Sequence, residues 1–135
     1  MRFFAGDFCS TSSTNPIMVS DELKGKITSC NLKVCNYEVP LKPENMDVKP
    51  SWFFNQNDDA LAFLKSLVFN VFPLANNHVF DDDDEGYRKT AKAFFGETFG
   101  SGTYEEAYKI KIVELDGVRI GFLVLCFAAR FWRFQ

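Results

Sequence analysis

Three short stretches of the chain carry the side chains that could do chemistry. Gly6-Asp7 ends an apolar run that starts at Arg2. Asn36-Tyr37-Glu38 lies at the end of a second run, Leu32 to Val39. Leu74-Ala75-Asn76-Asn77-His78-Val79-Phe80-Asp81 follows a third and holds the single His of the chain. A carboxylate placed directly after a buried strand is held at the sheet's rim, where a metal or substrate would sit, and Gly6 lets a backbone approach closely. Period-2 geometry turns Asn36 and Glu38 to the same side of their strand. An Asn carbonyl oxygen is a hard, neutral ligand for a divalent cation. A His beside it can protonate a leaving oxygen, and an Asp further on can orient the imidazole. Each stretch also has a plainer reading: a turn or helix cap at Gly6-Asp7, a strand fraying into a proline loop at Asn36 to Glu38, and turn chemistry around His78. The acidic run Asp81 to Glu85 lacks the spaced ligands, central Gly and closing Glu of a calcium loop.

The elements that must position these residues alternate between strand and helix. Arg2 to Ala5 is expected as a short apolar strand. Ser20 suits the cap of a helix through Ser29, with Asp21 and Glu22 in its first turn. Leu32 to Val39 reads as a buried strand, and Pro40 to Pro50 as a loop. Asn57 suits the cap of a helix whose Ala60, Leu61, Leu64, Leu67 and Val68 recur at helical spacing. Phe69 to Leu74 reads as a strand, with Pro73 arguing against a regular central ladder. Tyr87, Ala91, Phe94 and Phe95 form one apolar helical face opposite Arg88, Lys89 and Lys92. Tyr108, Ile110 and Ile112 alternate with Lys109 and Lys111, which predicts a strand with the lysines on its wet face. Asp116-Gly117 is a strong hairpin signal. The almost wholly apolar Val118 to Phe127 is expected as a strand covered on both sides. The sum is an α/β layered domain that ends in an antiparallel hairpin. The three polar stretches then share the carboxyl rim of the sheet, so Asp7, Glu38, Asn77 and His78 are expected to converge there.

Composition limits the function. The 135 residues are 47% hydrophobic and 24% charged, with a net charge of -3. Disordered, collagen-like and coiled-coil classes are excluded, and the basic excess of a nucleic-acid binder is missing. Sixteen Phe suit a thick core. The four cysteines form no CxxC pair, and with one His no zinc-finger set exists, so free thiols are expected. Met1 to Phe4 runs into a glycine and an acid rather than into the long apolar stretch of a signal peptide. The longest apolar stretch, Ile120 to Ala129, is about half the ~20 residues of a membrane span. A cytoplasmic or membrane-peripheral location is the expectation.

Taken in order, Gly6-Asp7, the Asn36-Tyr37-Glu38 stretch with Pro40-Leu41, the LANNHVFD run with Gly86 and Thr90, Gly100-Ser101-Gly102, Glu106-Ala107 and the Asp-Gly hairpin form a pattern. It resembles the bacterial poly-γ-glutamate capsule biosynthesis (CapA-type) family, which is similar to calcineurin-like metallophosphoesterases. The likeness runs from about Arg2 to Cys126. It implies an α/β sandwich of the metallophosphoesterase type with a metal-centred site at the strand ends. By position Asp7 matches the first metal-binding acid, Glu38 the acid of the second motif and Asn77 the metal-binding Asn. His78 matches the proton-donating or phosphate-contacting His, and Asp81 the acid after it. The implied cofactor is a divalent metal, Mn, Mg or Zn, dinuclear in a full-length domain. Two metals would polarise a phosphoryl oxygen and supply a hydroxide nucleophile. The implied partner is an anionic polymer or phosphate-ester substrate.

The sequence also departs from that pattern. Asp83 stands where the family's DxGxxG has Gly, and Val68 where the turn before the strand commonly has one. The family's later His-containing motifs are missing, and Ala129 to Gln135 does not resemble its continuation. Residues 1–128 are therefore read as the N-terminal part of such a domain, with 129–135 as a non-matching tail. Three functions stay open: a metal-dependent phosphoesterase-like hydrolase, a non-catalytic polymer-handling protein, and a fragment without independent activity. Self-association through an exposed apolar strand is expected.

Overall fold

The structure is a computed structural model that describes residues 1–11, 17–42, 56, 59–94 and 96–127. Asn57, residues 43–50 of the proline-rich segment and the tail 129–135 lie outside the described residues.

Four parallel strands form one sheet in the order β1 (Arg2–Phe8), β2 (Leu32–Tyr37), β3 (Val71–Pro73) and β4 (Glu97–Phe99). Parallel neighbours need crossovers, and helices supply them: α1 (Asp21–Thr28), α2 (Asp59–Ser66) and α3 (Asp83–Ala93). Ser20 caps α1 by accepting from the Leu23 amide at 3.3 Å. The helices cover one face of the sheet, where Ile27, Leu64 and Leu67 bury themselves on Cys35, Tyr37 and Phe72. After β4 a short helix, α4 (Tyr104–Ala107), leads into the antiparallel pair β5 (Lys111–Leu115) and β6 (Val118–Phe122). Val113, Leu115, Ile120, Phe122 and Val124 lay that hairpin over the second face, on Leu32, Val34, Val71 and Phe99. The expected α/β class with a terminal hairpin is therefore what the chain forms, as helices, parallel sheet and hairpin in three layers.

Several local expectations are corrected. β1 extends through Phe8, so Asp7 lies inside the strand, and β1 is an edge strand with most of its side chains exposed. Its pairing with β2 shifts between Phe4 and Asp7, and a Cβ on Gly6 would meet nothing within 4 Å, so no close approach depends on this glycine. Pro73 sits in β3 after all, at its last position, opposite Phe99. Beside it the Leu74 amide takes up the ladder by donating to the Phe99 carbonyl at 2.9 Å.

The phase of β5 is reversed. Val113 and Leu115 face the core, which puts Lys111 on their side of the strand and leaves Ile112 outward. Tyr108 caps α4 rather than starting the strand. The run after the hairpin is not covered on both sides. β6 stops at Phe122, and Val118, Leu123, Leu125 and Phe127 are exposed. β4 and α4 were not anticipated. Among the described residues no helix is long and apolar enough to cross a membrane.

Candidate functional site at the strand carboxyl ends

Because β1, β2 and β3 are parallel, their carboxyl ends share one rim. Asp7, Glu38 and the 76–81 loop all lie on it. Among the described residues the strand order does not reverse, so the rim has no switch-point crevice of the kind that doubly wound sheets use. Side-chain amides tie the loops together instead. Asn36 Nδ2 donates to Asp7 Oδ1 at 2.6 Å. Asn76 is buried and donates through Nδ2 to the Tyr37 carbonyl at 2.8 Å, with a longer contact of 3.4 Å to Asn36 Oδ1. Its own Oδ1 accepts from the His78 amide at 2.9 Å. One buried side chain thus fixes where the His-bearing loop sits relative to β2.

Glu38 follows β2 directly, and its amide donates to the Phe8 carbonyl at 3.1 Å. Burial pushes its carboxyl above the ordinary range, the neighbouring Asp7 charge and a hydrogen bond with Asp7 push it further, and His78 acts against them. Oε2 of Glu38 is buried with no hydrogen-bond partner. On the third loop Nδ1 of His78 lies 2.7 Å from Asp81 Oδ2, both side chains being partly buried. With Nδ1–H donated to that carboxylate, proton transfer falls to Nε2.

Asp7 and Glu38 are thus neighbours, His78 lies near enough for its charge to act on Glu38, and Asp81 is joined to His78. Asn77 shares the rim but is exposed, with no hydrogen bond to either acid among the described residues. No group of three His, Cys, Asp or Glu side chains among the described residues is placed to hold a metal ion.

Sequence reasoning missed the supports. Asn76 was read only as part of a polar loop, and Gln56 was not read at all. Gln56 is buried, receives the Ser10 amide on Oε1 at 2.8 Å and donates through Nε2 to the Phe8 carbonyl at 2.9 Å, bracing the segment after Asp7. All four cysteines are free thiols. Cys9 lies at the surface beside the acid pair, and partial desolvation, then the Glu38 and Asp7 charges, raise its thiol.

Residues 7–133 match the family described as bacterial capsule synthesis protein PGA_cap. The chain belongs to this family. No individually curated protein matches it. Membership places the PGA_cap chain in bacterial capsule biosynthesis. The match takes in Asp7, Glu38, the 74–81 loop and the hairpin within one continuous stretch.

Proposed function

We propose that this PGA_cap chain carries a metal-dependent, phosphoesterase-like hydrolase site that acts on an anionic polymer or a phosphate ester in capsule synthesis. The observation that carries the reading is the Asp7–Glu38 pair, two neighbouring carboxylates of which Glu38 has a buried oxygen lacking a hydrogen-bond partner. A cation between them would relieve both the repulsion and the unmet hydrogen-bond demand. The donor set fits one hard divalent ion, such as Mg or Mn, with water filling most positions. It does not fit a dinuclear centre built from these residues alone.

Asp7 and Glu38 would hold such an ion, with Asn77 as the neutral third donor if its loop turns inward. When bound, the metal supplies Lewis acidity toward a phosphoryl or acyl oxygen. Asn36 fixes the Asp7 carboxylate in place. Asp81 fixes the tautomer and direction of His78, which is then set to give a proton to a leaving oxygen through Nε2. One specific observation favours a second reading, a polymer-handling protein without turnover: among the described residues the His, Cys, Asp and Glu set is too small for a closed metal site.

Calorimetric titration with Mn and Mg, run beside turnover of a chromogenic phosphodiester, separates the two. The first reading expects binding weaker than micromolar and metal-dependent turnover, both lost in Asp7→Asn. Metal binding and turnover untouched by that substitution would sink it. Binding of an anionic polymer without turnover would favour the second.

A further inference from the structure

A cleft of about 370 Å³ opens at the carboxyl end of β4, away from the acid pair. None of Asp7, Glu38, Asn77, His78 or Asp81 lines it. Its size falls within the usual range of ligand pockets, about 300–1,000 Å³. Leu74, Ala91 and Phe99 give it an apolar wall, and Ser101, Lys109 and Lys111 give it a polar one.

Ser101 is only 9% exposed, and its hydroxyl is buried without a hydrogen-bond partner. Such a group costs stability unless something bonds to it. Backbone in the left-handed region on both sides of it, φ 89° at Gly100 and 113° at Gly102, holds it there. A Cβ on Gly102 would come within 2.9 Å of the Tyr87 hydroxyl and 2.5 Å of Glu106 Oε2, so only glycine leaves this corner open. The charges are unequally committed. Glu106 also lines the cleft, but its carboxylate accepts from the Thr103 amide at 2.8 Å in the α4 cap. Lys111 pairs with Glu97 at 2.6 Å. Lys109 has no acid partner among the described residues and supplies the uncommitted charge.

We infer that this cleft is a subsite for a carboxylate-bearing unit of an anionic polymer, with Lys109 as counter-ion, Ser101 as hydrogen-bond donor and the apolar wall against the unit's aliphatic stem. The inference deepens the proposed function and rests on it for the identity of the rim as a reaction site. The sheet order gives it a consequence. β1 and β4 are three strand spacings apart, roughly 14 Å at about 4.8 Å each. One unit in the cleft and one bond at the acid pair therefore require an extended chain of several units. A small monoester cannot reach both places.

The test uses the full chain in a chelator, with single glutamate, pentaglutamate and inorganic phosphate as probes. NMR shifts and calorimetry are the readouts. Pentaglutamate is expected to move residues 98–111 and to bind at least tenfold more tightly than glutamate or phosphate. Lys109→Ala and Ser101→Ala should each weaken it by about tenfold, the weight of one hydrogen bond to a charged group. Ser101→Ala should melt no lower than the parent, because it removes an unmet hydroxyl. Lys26→Ala, at an exposed lysine of α1 that does not line the cleft, should leave this metal-free binding intact. Pentaglutamate binding that moves residues 98–111 and is weakened by Lys109→Ala and Ser101→Ala, while metal-dependent turnover is absent from the parent, would support the subsite and overturn the hydrolase reading. Unchanged affinity in both Lys109→Ala and Ser101→Ala, or shifts confined to other residues, would overturn the subsite whatever the turnover.

Discussion

Two non-glycine residues have left-handed backbone at positions where the family resemblance leads one to expect glycine. Val68 has φ 58° and Asp83 φ 54°. Each position carries strain that glycine would release. The cost is greater for a β-branched side chain. Val68 is 55% exposed, so little packing is lost with its side chain. Val68→Gly is expected to stabilise the protein by about 1 kcal/mol and Asp83→Gly by rather less. Chemical denaturation measures both, and a lower midpoint for Val68→Gly would show that the turn is not strained. Glu38 gives a pH-dependent prediction for the metal-free protein. Its folded-state pKa is raised by burial and then by Asp7, so the native state holds the proton more tightly than the unfolded chain does. The penalty of charging Glu38 is absent below the ordinary Glu value and fully present above the raised one. Stability should fall as pH rises through that window. Glu38→Gln should remove this part of the slope in thermal melts with chelator between about pH 4 and pH 8. The same slope in parent and variant would refute the assignment.

Elements were legible where a local rule acts alone. Ser20 followed by acids marks α1, and Asp116-Gly117, with φ 52° and 74°, makes the two-residue turn of the β5–β6 hairpin. They were illegible where tertiary pairing decides. β4 is three residues long and exists because Glu97 to Phe99 pair with β3. The phase of β5 is set by Val113 and Leu115 meeting the second face of the sheet, and this overrides the isoleucine alternation that pointed the other way. At the site, the acids and the His could be read from their places after strands. Their supports could not, because Asn36, Gln56 and Asn76 reach their distant partners only after folding. Thr90 shows how such a tie is weighed. Its buried hydroxyl donates to the Gly86 carbonyl at 2.7 Å within α3 and accepts from the Leu41 amide at 2.9 Å, joining that helix to the segment after β2. Thr90→Val keeps the shape and leaves the Leu41 amide unmet, so a loss of about 1–3 kcal/mol is expected, with Thr90→Ser close to the parent. Equal melts for the Val variant and the parent would show that the tie carries no stability.

At the scale of the whole molecule the three layers are unequally covered. The sheet has helices on one face and the hairpin on the other, but nothing among the described residues lies over the hairpin's outer surface. Ile112, Leu123 and Leu125 are exposed there, and Phe127 is 91% exposed just beyond. Among the described residues β5 and β6 pair only with each other, so each presents an open edge there. An apolar surface beside unpaired strand edges is a template for another chain. Burying one such side chain is worth roughly 1.5–3 kcal/mol, and a symmetric contact counts each residue twice. The chain is therefore expected to associate at micromolar concentration, with a mass by light scattering above that of one copy. Leu123→Lys and Leu125→Lys together should return it to monomer without lowering its melt, because neither side chain belongs to the buried clusters. A parent that stays monomeric and monodisperse under these conditions would show that the outer face of the hairpin is covered within one copy.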